Sequence, residues 1–261
     1  MADLVLILTA RRRSRTRLAA AFRQSQHGGS RRTIWLNVPL APSHASWDDA
    51  RERRDRIDVA PRILARLPWP ALSHWTRGCA CAWPGEAHAA FDAAVLIESA
   101  AADHSALAAL RRILDDRRIC GSADGVRGKV PVVCLTAKPP DGWYALRRYQ
   151  RHRQRWDFEP YGIAFDRDYL ACRGARPVVY TPTSDSDQTG RPPHPIESPL
   201  WLQVAAGKRG RWRVEREWRW RGDLNLAEIP PDRAAVLVPD RPTAERLADV
   251  SPFPFYVLPR S

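Results

Sequence analysis

Apolar residues in this chain fall mostly into short unbroken runs bounded by Gly, Pro or charged clusters. Such runs read as buried strands, because a half-exposed strand would alternate and a surface helix would repeat every three to four residues. The runs are residues 3–9 (DLVLILT), 33–38 (TIWLNV), 72–77 (LSHWTR), 130–136 (VPVVCLT), 161–165 (YGIAF), 177–181 (PVVYT), 234–239 (AAVLVP) and 255–258. Helical spacing is expected at 11–24, within 40–70 (chiefly 47–67), twice within 88–118, at 142–155, at 166–173 and at 242–249. Leu107, Leu110, Ile113 and Leu114 make the clearest helical stripe. The Pro- and Ser-rich stretch 183–199 reads as a polar loop. Helices concentrate early and strands follow one another late, which predicts an α+β fold rather than regular βαβ winding.

One stretch alternates. Residues 211–224, RWRVEREWRWRGDL, read as a strand, put Trp212, Val214, Arg216, Trp218 and Trp220 on one face. Arg211, Arg213, Glu215, Glu217, Arg219 and Arg221 then share the other. Two carboxylates bracketed by guanidinium groups are either a salt-bridged surface or a reaction centre. The tryptophans read as sheet packing in preference to base-stacking platforms.

Composition narrows the classes. The net charge of +13 makes a polyanionic partner plausible, yet of 42 basic residues only Lys129, Lys138 and Lys208 are lysine, an arginine habit that also fits a GC-rich genome. No apolar run is long enough for a membrane-spanning helix, and the apolar start precedes its positive charges, the reverse of a secretory signal. No membrane association and a cytoplasmic location are therefore expected. The five cysteines are irregularly spaced and imply no disulfide framework. Cys79 and Cys81, with His74 and His88 nearby, lack the pair spacing of a structural zinc site, so no metal is expected. Gly28-Gly29 follows a helix instead of opening one and makes no phosphate loop.

The order of pieces carries more than any motif alone. Cys134-Leu135-Thr136, a basic helix with Tyr149, a strand with Gly162, Pro177–Tyr180 and Glu215–Arg219 (E-R-E-W-R) resemble a group of uncharacterised bacterial proteins that end in E-x-E-[WY]-R. The usual Trp-x-x-Tyr spacing around Tyr149 is missing. With His74-x-Thr76 ahead of them, the series over residues 72–240 also looks like the ADP-ribosyltransferase fold, including DNA-targeting (DarT-like) toxins. That resemblance implies a split mixed or antiparallel sheet with flanking helices in residues 71–261, while residues 1–70 read either as an N-terminal α/β extension or as part of the same domain. It implies NAD as a substrate, a macromolecular acceptor such as nucleic acid or protein, and a setting in which toxin or phage-defence roles are common.

The same resemblance assigns roles. Glu217 would stabilise positive charge developing at the ribose, with Glu215 positioning the acceptor. His74 and Thr76 would hydrogen-bond ribose and carboxamide, Thr136 or Tyr161 would occupy the middle-strand position, and Tyr161 would stack on nicotinamide. Arg77 or Arg219 would pair with pyrophosphate. Two other classes stay open. A metal-dependent nuclease would gather Asp166, Asp168, Glu215 and Glu217. A non-enzymatic binder would set its arginine clusters on nucleic-acid phosphates.

Overall fold

The computed structural model describes residues 4–6, 32–34, 58–151, 155–181, 199–205 and 214–259. The chain divides into two compact units, Met1–Asp55 and Arg56–Ser261. In the first, strands β1 (Leu4–Leu6) and β2 (Arg32–Ile34) pair in parallel, with Leu4 opposite Arg32. The helix expected at 11–24 lies outside the described residues.

The second unit is a mixed α+β fold. Its elements begin with β3 (Ile63–Leu64), β4 (Ala71–Trp75), helices α1 (His88–Leu96) and α2 (Ala106–Asp115), β5 (Arg118–Ile119) and β6 (Val132–Thr136). A hairpin of β7 (Arg148–Gln150) and β8 (Arg155–Asp157) precedes β9 (Gly162–Asp166), α3 (Arg167–Cys172), β10 (Arg176–Pro177), β11 (Val179–Thr181) and β12 (Gln203–Ala205). Strands β13 (Glu217–Arg221), β14 (Leu224–Asn225) and β15 (Ala234–Val238), helix α4 (Arg241–Leu247) and β16 (Phe255–Val257) complete it. Eight strands form one sheet in the order β10-β13-β6-β4-β9-β15-β16-β3. Its β15–β16 and β16–β3 pairs are parallel and the remainder antiparallel. Because β3 pairs with β16, residues 63–64 supply an edge strand of this sheet.

Opposed residues of an antiparallel ladder share a face, so the register sorts the side chains. Leu72, Val133, Leu135, Ile163, Phe165 and Val236 turn to one face, where Leu110 and Leu114 of α2, Leu170 of α3 and Leu247 of α4 complete the main core. Trp75, Ala164, Ala235, Leu237 and Tyr256 turn to the other, against Trp143 and Phe158. β15 is buried along its whole length, as an unbroken Ala-Ala-Val-Leu-Val run requires. The helices α2, α3 and α4 start on side-chain caps: Ser105, Asp166 and Asp240 each accept main-chain N–H groups of the first turn.

Two helical expectations fail where the residues are described. Of the one within 40–70, residues 40–57 lie outside the described residues, and over 58–67 the chain makes a short 3-10 turn and β3, where Pro61, Pro68 and Pro70 interrupt any longer helical ladder. Over 142–155 a 3-10 segment, Pro140–Ala145, gives way to β7 and β8. There Tyr149 faces Trp156 across the ladder, an edge-on aromatic pair with centroids 5.4 Å apart. A cross-strand aromatic pair of this kind outweighs the weak helical preference of a basic run.

Candidate functional site

The site candidates lie about a seam in the sheet. β4 and β6 share a single paired position, Ser73 opposite Thr136, while the other neighbouring strands share two to five. The sheet is thus two ladders, β10-β13-β6 and β4-β9-β15-β16-β3, joined at one point. Thr136 also lies opposite Glu217, so Ser73, Thr136 and Glu217 form one row across the joint.

His74 fills the gap beside that joint. Its Nδ1 lies 3.0 Å from the carbonyl oxygen of Cys134, where a ladder hydrogen bond would otherwise form. Burial holds the imidazole down at about 4, with the nearby Arg77 charge adding to the effect. The ring is therefore neutral near pH 7, and a neutral ring that meets a carbonyl must place its proton on Nδ1. Nε2 keeps its lone pair and has no partner among the described residues.

The expected strand over 211–224 is shorter than its alternation suggests. β13 starts at Glu217, residues 214–215 form a turn, and Arg216 takes the left-handed conformation at φ 47°. Glu215 and Glu217 therefore do not share a strand face, as uninterrupted alternation would require. A non-glycine residue held there costs about 1–2 kcal/mol, and such outliers cluster where side chains must be aimed. The kink is pinned by Ala137, whose N–H donates to the Arg216 carbonyl at 3.1 Å, and by the Thr136 hydroxyl, which donates to the Glu215 carbonyl.

Each glutamate has its own arginine. Arg219 Nε donates to Glu217 Oε1 at 2.7 Å, with the arginine side chain 6% and the glutamate 14% exposed. Arg219 also donates to the Trp201 carbonyl. Arg148 of β7 donates to Glu215 Oε1 at 2.7 Å and lies 3.5 Å from Asp157, which in turn is 3.6 Å from Arg77. Burial raises the Glu215 carboxyl above its ordinary value against the opposing pull of Arg148. These are partly buried, charge-assisted bonds; the Glu217–Arg219 pair is the ion pair that the salt-bridged reading expects, formed out of solvent and not on an open surface.

Cys134 lies directly opposite Arg219 and retains open surface. The protein atoms around its sulfur, followed by the Glu217 carboxylate, push the thiol up to about 12. Arg219 and Arg77 pull the other way without reversing the shift, and the thiol stays protonated near pH 7. Tyr180 stands against the Glu217 main chain, its phenol raised mainly by burial.

Not every candidate is brought here. The Thr76 hydroxyl donates toward the Ala106 and Tyr161 carbonyls, at 2.8 and 3.0 Å, and the residue is 4% exposed. It ties β4 to α2 and β9. Tyr161 packs against the main core, and its main chain receives both Thr76 donors. Asp166 caps α3 and accepts from Arg233 at 2.7 Å, which commits it far from any role with Glu215 and Glu217. Among the described residues no three His, Cys, Asp or Glu side chains are disposed to hold a metal ion. Cys79 Sγ and the Cys81 carbonyl lie beside His104 instead of His74 or His88. They surround His104, which stacks on Trp83 at 3.8 Å and lies 3.3 Å from Glu86, locking the loop before α1.

Other residues join the site without a motif to announce them: Arg148, Asp157, Ser73, Trp75 and Trp143. Ser73 Oγ and both indole Nε1 atoms are buried and have no protein partner among the described residues. Ser73 and Trp75 share the sheet face of Thr136, and the two indoles lie 6.3 Å apart. Buried donors of this kind call for a partner beyond the described residues, such as water or a ligand. Comparison with protein-family models, with curated proteins and with solved structures finds no match. No helix among the described residues is long and apolar enough to cross a membrane.

Proposed function

We propose that this protein is an NAD-dependent ADP-ribosyltransferase, or the corresponding NAD glycohydrolase, acting at the seam between β4 and β6 on an ADP-ribosyltransferase-like split sheet. The observation that carries the reading is the row Ser73–Thr136–Glu217 across a sheet joined at one pair, with the neutral His74 imidazole in the gap beside it. The residues fit the dinucleotide: the buried hydroxyl of Ser73 and the indole N–H groups of Trp75 and Trp143 can serve carbonyl or hydroxyl acceptors, and Arg77 can pair with phosphate.

When bound, NAD⁺ would supply the ADP-ribosyl group, with nicotinamide as leaving group. Glu217 holds negative charge where positive charge develops at the ribose, and Arg219 fixes its orientation through the 2.7 Å bond. Nε2 of His74, which belongs by register to the opposite face of β4 and reaches the site only through the gap in the seam, would accept a ribose hydroxyl, because Nδ1 is already committed to Cys134. Glu215, with its proton affinity raised by burial, is suited to take a proton from an acceptor. Thr76 and Tyr161 act as the frame that sets the end of β4, not as ligands. Arg219, committed to Glu217 and Trp201, is a positioning residue, which leaves Arg77 as the pyrophosphate partner.

The test is binding. NAD⁺ at many times its dissociation constant should raise the melting temperature by mass action, and His74→Ala or Ser73→Val should remove the rise. An unchanged melting temperature up to millimolar NAD⁺ would exclude the reading.

A further inference from the structure

A separate cavity of about 360 Å³ opens where the loop before β4, the turn after β6 and the kink before β13 meet. Arg66, Arg167 and Arg216 line it, against one carboxylate, Asp141, which accepts the hydroxyl of Tyr256. Arg167 pairs at 3.1 Å with the outward Asp168, and among the described residues Arg66 and Arg216 form no ion pair. Three guanidinium groups around one concavity repel one another and focus a positive field into it. Their planar forks match phosphate and carboxylate oxygens alike, and a phosphate, with more oxygens and more charge on one centre, can engage three guanidinium groups at once.

The walls add a second preference. Trp69 lines the cavity with its indole Nε1 fixed to the Asp232 carbonyl at 3.0 Å, so its ring is held before any ligand arrives. Tyr256 supplies another aromatic wall, its phenol pushed up to about 12 by burial and by Asp141. A second cavity of about 600 Å³ shares Pro139 and Arg216 and adds Lys138, continuing the basic track. The backbone strain at Arg216 acquires a purpose here, since the left-handed turn is what brings this side chain to both cavities.

We infer that this cavity binds the phosphate group of a nucleotide, with Arg66, Arg167 and Arg216 on the phosphate and Trp69 against the base. The shared chemistry is a phosphate ester beside a heterocycle, carried by a free nucleotide or by a single-stranded nucleic acid. The site stands apart from the transferase reading and holds or fails without NAD⁺.

Isothermal titration of the full chain with adenosine 5′-monophosphate, and separately with a short single-stranded oligonucleotide, tests it. Binding of the mononucleotide, weakened at least ~10-fold in Arg66→Ala/Arg216→Ala, is expected for a free nucleotide, since each charge-assisted bond contributes on that scale. Binding of the oligonucleotide alone, with the same loss, identifies the strand as the source. Arg117→Ala/Arg221→Ala removes two exposed arginines outside the cavity and should leave either affinity within ~3-fold, which separates the site from general charge. Circular dichroism confirms that each variant is folded. Failure of both probes to bind, or binding unchanged in the folded Arg66→Ala/Arg216→Ala variant, overturns the inference.

Discussion

His74 and Cys134 are joined across the seam, imidazole Nδ1 to main-chain carbonyl at 3.0 Å. A side chain here replaces a strand-to-strand bond, and the same contact fixes which nitrogen is left for a ligand. The stability consequence has a definite sign. The folded imidazole protonates only near pH 4 while the unfolded one does so near 6.5, so as pH falls through that window the unfolded state takes up a proton that the folded state refuses. Stability should be unaffected by His74 above pH 7 and decline between about pH 6.5 and 4, by up to about 3 kcal/mol. Urea denaturation at stepped pH, with His74→Gln as reference, checks this. A difference between the two proteins that does not change with pH would contradict it.

Arg219 and Glu217 form a pair almost out of solvent, so the two halves are not equivalent on removal. Arg219→Ala leaves Glu217 buried beside an unanswered Trp201 carbonyl and should cost about 3–5 kcal/mol. Glu217→Gln keeps the shape and an acceptor for Arg219 and should cost much less. Equilibrium unfolding of both variants measures the contrast, and equal losses would mean that Glu217 is held by something other than Arg219.

Gly162 lies opposite Trp75 where the carbonyl of His74 comes so close that a Cβ would collide with main-chain atoms. Backbone has little room to yield in a five-residue ladder. Gly162→Ala should therefore lower stability by about 1–3 kcal/mol, as overpacking does, and should perturb the His74 environment. Thermal unfolding and the histidine ring resonances report the two effects. A neutral substitution would show that β4 and β9 are not so tightly apposed.

At Arg216 the expectation runs the other way. Glycine adopts φ 47° without steric cost, so Arg216→Gly should relieve about 1 kcal/mol of strain, partly offset by the greater freedom of the unfolded chain. A melting temperature equal to or above that of the parent is expected. A clear fall would mean that the side chain itself holds the kink together.

The legible part of this fold was what continuous burial writes into sequence. β4, β6, β9, β15 and β16 are runs of apolar residues with few alternatives, and α2, α3 and α4 carry both a stripe and a capping side chain. The hairpin β7–β8 was hidden because Arg148, Gln150 and Arg155 look like a solvated helix until Tyr149 is set against Trp156. The kink at Arg216 was hidden because alternation of residue type says nothing of φ, and it moved Glu215 off the strand. Arg148 reaches Glu215 from 67 residues away, and Asp157 reaches it only through Arg148. Tyr180 was the exception: its place in the P-V-V-Y run was visible, though its contact with Glu217 was not.

The central claim is that Glu217 serves chemistry on NAD⁺. Purified protein incubated with adenylate-labelled NAD⁺, with protein and nucleic-acid acceptors supplied in separate reactions, measures it directly. Release of nicotinamide with labelled acceptor or free ADP-ribose is expected from the parent, with a loss of at least ~100-fold in Glu217→Gln that keeps its fold. Undiminished turnover in folded Glu217→Gln, or no consumption of NAD⁺ by the parent under any of these conditions, would contradict it.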